Sequence, residues 1–157
     1  MPELDTLPAE TPWPAHLAVG ALRWVRSSTN YDQTVAFYRD LVGFRVVGSF
    51  EGSFGEDGII FGLPGTATHL EIVRFQQSAP AADRFDQIVL YLADDGALAR
   101  AIEPLLAAGV TPVPAPHPYW EANGGVVFLD PDGRAVVYAP WIFGSQPDPV
   151  DRTPGGR

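Results

Sequence analysis

Two passages of this 157-residue chain repeat one order of patterns, and that repetition restricts the fold more than any single motif does. In the first passage, Ala21 to Arg26 (ALRWVR) reads as a short strand. After Ser27-Ser28-Thr29-Asn30 a helix follows, with Val35, Tyr38, Leu41 and Val42 recurring on one face and Arg39 and Asp40 left outside it. Asn30 with Gln33 three residues on has the spacing of a capping box, and Gly43 supplies the stop. Strand-like segments at Phe44 to Phe50, Gly58 to Leu63 and His69 to Phe75 come next, separated by glycine-containing turns. The order is β-α-β-β-β.

The second passage reproduces it. Asp86 to Leu92 (DQIVLYL) is strand-like, and Asp95 to Ala108 is a helix with Leu98, Ile102, Leu105 and Leu106 on one face and Gly109 behind it. Val110 to Val113 is a short extended piece. Gly125 to Leu129 and Ala135 to Ala139 are strands joined by Asp130-Pro131-Asp132-Gly133, a turn in which Pro presets φ and Gly accepts a positive one. The predicted class is therefore α+β, with βαβββ modules at 21–75 and 86–141 and a linker at 76–85. A proline-rich extension at 1–20 and a tail at 142–157 flank them, too rich in Pro, Gly and acids to bury a core.

Composition removes several chemistries. There is no Cys, and all ten basic residues are Arg, so disulfides, cysteine zinc sites, thiolate nucleophiles and lysine Schiff bases are excluded. Nineteen acidic residues give a net charge of −9, which opposes binding to nucleic acid or an anionic membrane. No apolar run reaches the roughly 20 residues of a membrane span. Met1 to Pro14 has neither the basic start nor the apolar stretch of a secretory signal, so the expected location is cytoplasmic. The glycine-rich stretch Gly52 to Gly58 lacks phosphate-loop spacing and a following Lys.

Two segments carry a resemblance. Thr34 to Phe44 (TVAFYRDLVGF) resembles the helix of the vicinal oxygen chelate superfamily, which ends in a Phe-Tyr pair followed by Leu-Gly-Phe, and Asp130-Pro131-Asp132-Gly133 resembles that superfamily's late turn. The likeness extends over Ala21 to Trp141. It implies the glyoxalase, bleomycin resistance and dioxygenase fold, in which two modules curve around a shared cavity. In the enzymes of the superfamily four side chains hold a divalent metal there, one from the first and one from the last strand of each module.

Counted from the motifs, those four positions fall at Arg23 and Glu71, then Gln87 and Val137, separated by 48 and 50 residues. A guanidinium is permanently charged and cannot ligate a metal, and Val137 has no donor. The resemblance thus points to a member with a degenerate metal site and no cofactor. The alternative is a divalent metal ion held by Glu71, Gln87 and His69 in a lyase, isomerase or dioxygenase. Relatives of this kind often pair, which implies a homodimer.

Two readings of Arg23 and Glu71 stand side by side: a guanidinium oriented by Glu71 toward an anionic ligand, or an internal ion pair replacing the metal. His69 shares the parity of Glu71 and is either an acid/base group or a rim residue; in an enzyme, Glu71 and His69 are the catalytic candidates. Gln87 and Tyr91, of equal parity on one strand, add an amide and a phenol. Pro112, Pro114, Pro116 and Pro118 alternate, which predicts an extended arm delivering Tyr119 and Trp120 either to a ligand or onto the module's own edge. Trp24, opposite in parity to Arg23, is expected in the core beneath the helix. The function expected is binding of a small, partly apolar organic molecule, anionic where it meets Arg23.

Overall fold

The computed structural model describes residues 16–17, 19–63, 65, 67–77 and 81–141; the expected extension, apart from a few of its residues, and the whole 142–157 tail lie outside them. The chain forms two compact units. The first takes in the described residues of 13–83 together with the turn Asp130–Arg134, and the second takes in 84–129 and those from Ala135 onward. Among the described residues no helix is long and apolar enough to cross a membrane.

In the first unit, β1 (Leu22–Ser28) leads into α1 (Tyr31–Ala36), which continues as a π-helical turn over Phe37–Val42. Gly43 then takes φ 87°, so both its amide and that of Phe44 reach back to the Tyr38 carbonyl, at 3.0 and 2.9 Å. β2 (Arg45–Ser53), β3 (Glu56–Gly62) and β4 (Thr68–Arg74) complete a sheet of order β1-β4-β3-β2, with β1 parallel to β4 and the other pairs antiparallel. One face of it packs under the helix: Ile59, Phe61, Leu70 and Ile72 are buried with Val35, Phe37, Tyr38 and Phe44. Tyr38 stacks on Phe44 with ring centroids 5.8 Å apart and meets the edge of Phe37 at 5.2 Å.

The turn Asp130–Arg134 seats in a polar socket of this unit. Asp130 accepts the Tyr38 hydroxyl at 2.7 Å and the turn's own amides, from Asp132 and Arg134, at 2.9 Å each. Asp132 accepts from Thr34 at 2.9 Å and from the Asn30 side chain at 3.2 Å. Asn30 therefore does not close the expected capping box: its side chain caps no amide of the helix, and its own backbone N–H, which the Gln33 side chain would receive, donates to Asp132 instead. Burial raises the Asp130 carboxyl above its ordinary range despite the hydrogen bonds that oppose it. Burial acts on Asp132 too, but hydrogen bonds from Ser28, Thr34 and Asn30 outweigh it and hold that carboxyl low.

Trp24 departs from expectation. It shares a face with Leu70, its register partner, yet it is 63% exposed. The burial pattern gives the reason: Arg26 and Ser28, farther along β1, are buried, so the helical cover reaches only that end of the strand.

The second unit has β5 (Gln87–Tyr91), α2 (Asp95–Ala107), α3 (Pro118–Ala122), β6 (Val126–Leu129) and β7 (Ala135–Ala139). Its sheet order is β5-β7-β6, with β5 parallel to β7, and the expected fourth strand is reduced to a single bridge from Val113 to Val127. Asp94 caps α2 by accepting the Ala97 amide at 2.7 Å. Leu105 is buried, whereas Leu106, expected on the same face, is exposed. The extended arm ends sooner than expected. His117 caps α3, accepting the Tyr119 amide at 3.2 Å, and Pro118 opens it, so Tyr119 and Trp120 are helical. Gly125 is required behind that helix, because a Cβ there would stand 2.8 Å from the Trp120 carbonyl oxygen.

Two buried phenols give a pH signature. Burial, then the charge and hydrogen bond of Asp130, hold Tyr38 well above its ordinary value of 10, and burial pushes Tyr138 up to about 12. A phenol raised in the folded state leaves stability whole below about pH 10 and removes about 1.4 kcal/mol per pH unit above it, until the folded value is passed. Chemical denaturation should show a steady midpoint through pH 9 and a fall above pH 10. Among the described residues the Tyr138 hydroxyl has no hydrogen-bond partner, so Tyr138→Phe should roughly halve the alkaline slope and match or exceed native stability at pH 7 by up to about 1 kcal/mol.

Candidate functional site

The face of the first sheet turned away from the helix carries the charged residues. Alternation puts Arg23 and Val25 of β1 on that face beside His69 and Glu71 of β4: Arg23 is the register partner of His69, and Val25 of Glu71. An Arg23 Nη1–H donates to Glu71 Oε2 at 2.8 Å. The two ends differ in environment: the Glu71 side chain is 11% exposed, while the Arg23 side chain is 44% exposed. A nearly buried carboxylate thus holds a half-exposed guanidinium by one edge. Among the described residues, Arg23 makes no other hydrogen bond or ion pair, so the rest of its donor fork remains available.

The surroundings are apolar. Ile60 and Gly62 of β3 lie beside Glu71 and His69 in register, and the Phe50 ring covers Gly58, where a Cβ would collide with it. Val25 and Val47 are exposed on the same side, Val47 being pushed up by a bulge in β2 and lying over Gly62. The result is an apolar tray with one ion pair and one imidazole.

The other residues read from sequence gather in the second unit. Gln87, Val89 and Tyr91 share a face of β5 with Val137 of β7, and that face is covered by Trp120 and Trp141. The two indoles stack with centroids 6.1 Å apart, and Tyr91 and Tyr119 meet Trp141 edge-on at 6.4 and 6.0 Å. Burial, and then Tyr119, raise the Tyr91 phenol above its ordinary value. Trp120 is 7% exposed within this cluster, so of the two expected placements its ring takes the one against its own module: it is core. Trp141 was not singled out from sequence. Its signal was parity, since Ala135, Val137, Ala139 and Trp141 alternate onto one side.

A divalent metal does not fit these donors. Arg23 holds one oxygen of Glu71, Val137 is buried and donates nothing, and the Gln87 Oε1 lies buried without a hydrogen-bond partner among the described residues. Among the described residues no three His, Asp or Glu side chains stand close enough to hold an ion.

Comparison with known proteins places this arrangement. Residues 22–73 match the YycE-like N-terminal domain and residues 86–139 the YycE-like C-terminal domain. The YycE protein of Bacillus subtilis (strain 168) is 32% identical over 119 residues, covering 74% of this chain and 85% of that one. Its crystal structure, of a protein of unknown function, superposes with a TM-score of 0.70 at 31% identity, covering 76% of this chain and 88% of that chain. At 15% identity the fold is shared with a glyoxylase/bleomycin resistance protein/dioxygenase domain from Frankia sp. EAN1pec (TM-score 0.59, 77% of this chain and 89% of that one). The same holds for the fosfomycin resistance protein FosX from Listeria monocytogenes, in complex with Mn(II) and 1S,2S-dihydroxypropylphosphonic acid (TM-score 0.58, 74% and 88%). The fold is that of the vicinal oxygen chelate superfamily. Within it, the chain belongs to the YycE-like family.

The ion pair sets an energetic expectation. Arg23→Ala strands a carboxylate that is nearly out of water and should cost about 1–3 kcal/mol in chemical denaturation, less than a fully buried pair because solvent reaches the guanidinium. Replacing both residues by leucine should recover most of that loss, and strictly additive single and double variants would refute the coupling.

Proposed function

We propose that the chain binds a small, partly apolar organic anion on the open face of its first sheet, without a divalent metal. One observation carries the reading: Arg23 is held by Glu71 at 2.8 Å yet is 44% exposed, amid apolar side chains. Glu71 fixes the orientation of the guanidinium and so reduces the entropy lost when a ligand docks, while the uncommitted N–H groups match a carboxylate or phosphonate in the plane of the fork. Val25, Val47 and Ile60 suit an apolar portion. His69, across from Arg23 on the neighbouring strand, borders the anion. That FosX, a protein of the same fold, is known with a small phosphonic acid supports the ligand class and nothing finer. A lyase, isomerase or dioxygenase working through a metal on Glu71, Gln87 and His69 is the weaker reading, because Glu71 is already engaged.

Calorimetric titration with alkyl and aryl carboxylates and phosphonates, in buffer containing EDTA, tests the proposal. Binding of at least one class should survive the chelator and weaken about tenfold or more in Arg23→Ala, the scale of one charge-assisted contact. Retention that vanishes with EDTA, or that ignores Arg23, would overturn it.

The homodimer is part of the same proposal. β1 is an edge strand, and Leu22, Trp24 and Val25 stand exposed along it, more apolar area than an edge facing water normally shows. Light scattering should return twice the 16.9 kDa chain mass, and Trp24→Asp should shift the population toward monomer.

A further inference from the structure

We infer that Arg23 acts as a resident cation whose guanidinium keeps divalent metal away from His69 and Glu71, a donor pair that strand geometry otherwise presents for coordination. The inference rests on the reading of this face as the ligand site. His69 and Glu71 alternate along β4 and project from one face, with Cα atoms about 6.5–7 Å apart. Two side chains at that spacing can close on one ion, since imidazole nitrogen and carboxylate oxygen each sit about 2.0–2.2 Å from a bound zinc-like metal. A third donor on the adjacent strand completes the three-ligand set of an open metal site.

The position that would supply it is the register partner of His69, and that residue is Arg23. Its side chain reaches the carboxylate, 2.8 Å from Glu71 Oε2, so it occupies the space an ion needs. A guanidinium offers five donors and no lone pair and stays protonated, so it substitutes for the charge of a metal but not for its ligands. An approaching divalent ion meets a fixed positive charge at ion-pair distance and finds Glu71 already neutralised. The face therefore carries a guanidinium, with N–H donors left over from its ion pair, that neither dissociates into solvent nor depends on metal supply, which frees anion binding from any chelator.

Cobalt(II) is the probe, because its visible absorption reports inner-sphere coordination. The quantity read is the part of Co(II) uptake by the full-length chain that disappears when Glu71→Gln is added. The native chain should show none. Arg23→His should gain a one-to-one site with affinity raised about a hundredfold or more over the native chain, lost again on adding His69→Ala. Circular dichroism establishes that each variant is folded, and Arg23→Gln, which removes the charge while adding little ligand strength, should bind Co(II) more tightly than the native chain even where Arg23→His does not fold. Glu71-dependent Co(II) uptake by the native chain, or folded Arg23→His and Arg23→Gln chains no better than native, would overturn the inference. Anion binding is measured separately in EDTA, so a chain that excludes cobalt but retains no anion would refute the proposed function and leave this inference standing.

Discussion

In each unit the first strand lies parallel beside the last, β1 against β4 and β5 against β7, and the placement of the candidate residues carried on strands follows from that pairing. Parallel neighbours cannot be joined by a tight turn, so the chain must cross over through a helix and then return through the intervening strands. The crossover brings together residues far apart in sequence. Arg23 and Glu71, 48 positions apart, become neighbours on one face, and in the second unit Gln87 and Val89 come to lie beside Ala135 and Val137. Helix packing on the opposite face then leaves this one as the surface where chemistry can be displayed.

The two units use that surface differently, and the difference traces to a few residues. The first unit has Glu71 at the centre of its last strand beside Ile60, with Phe50 and Val47 lying over Gly58 and Gly62 of the same neighbouring strand, so a charge is set among apolar side chains. The second has Val137 at the corresponding place, with Ala135 and Ala139 on either side, small apolar side chains that leave room for large partners. Trp120 and Trp141 take that room. Burying two indoles removes some hundreds of Å² of apolar surface from water, a gain of several kcal/mol that a polar ligand site could not match. Among the described residues, Gln87 Oε1 and Trp141 Nε1 are left without hydrogen-bond partners, a local cost accepted within a favourable cluster.

Several features were legible because they are local. Gly43 ends the first helix because the chain needs a positive φ there, and the turn at Asp130 forms because Pro131 and Gly133 suit it whatever surrounds them. Strand parity puts His69 and Glu71 on one face of β4, and the resemblance set Arg23 beside them. The errors share a different cause. Asn30 has a capping spacing but spends its donors on Asp132, more than 100 residues away. Trp24 has core parity but lies where the helical cover stops. Tyr119 and Trp120 follow alternating prolines, yet Pro118 is also a good first residue for a helix, and the gain from burying Trp120 decided between the two.

By itself the sequence determined the order of elements in the first unit, the α+β class and the faces of the strands, since periodicity, glycine and proline act within a few residues of where they stand. It also determined what chemistry was absent, because a chain without Lys or Cys has neither wherever it folds. Only the tertiary structure decided which groups were already engaged: that Glu71 holds Arg23, that Asp130 holds Tyr38, and that the Trp120 ring is core rather than display. A hydrogen bond or a buried ring depends on distances between residues remote in the chain, and no spacing along the sequence carries those distances.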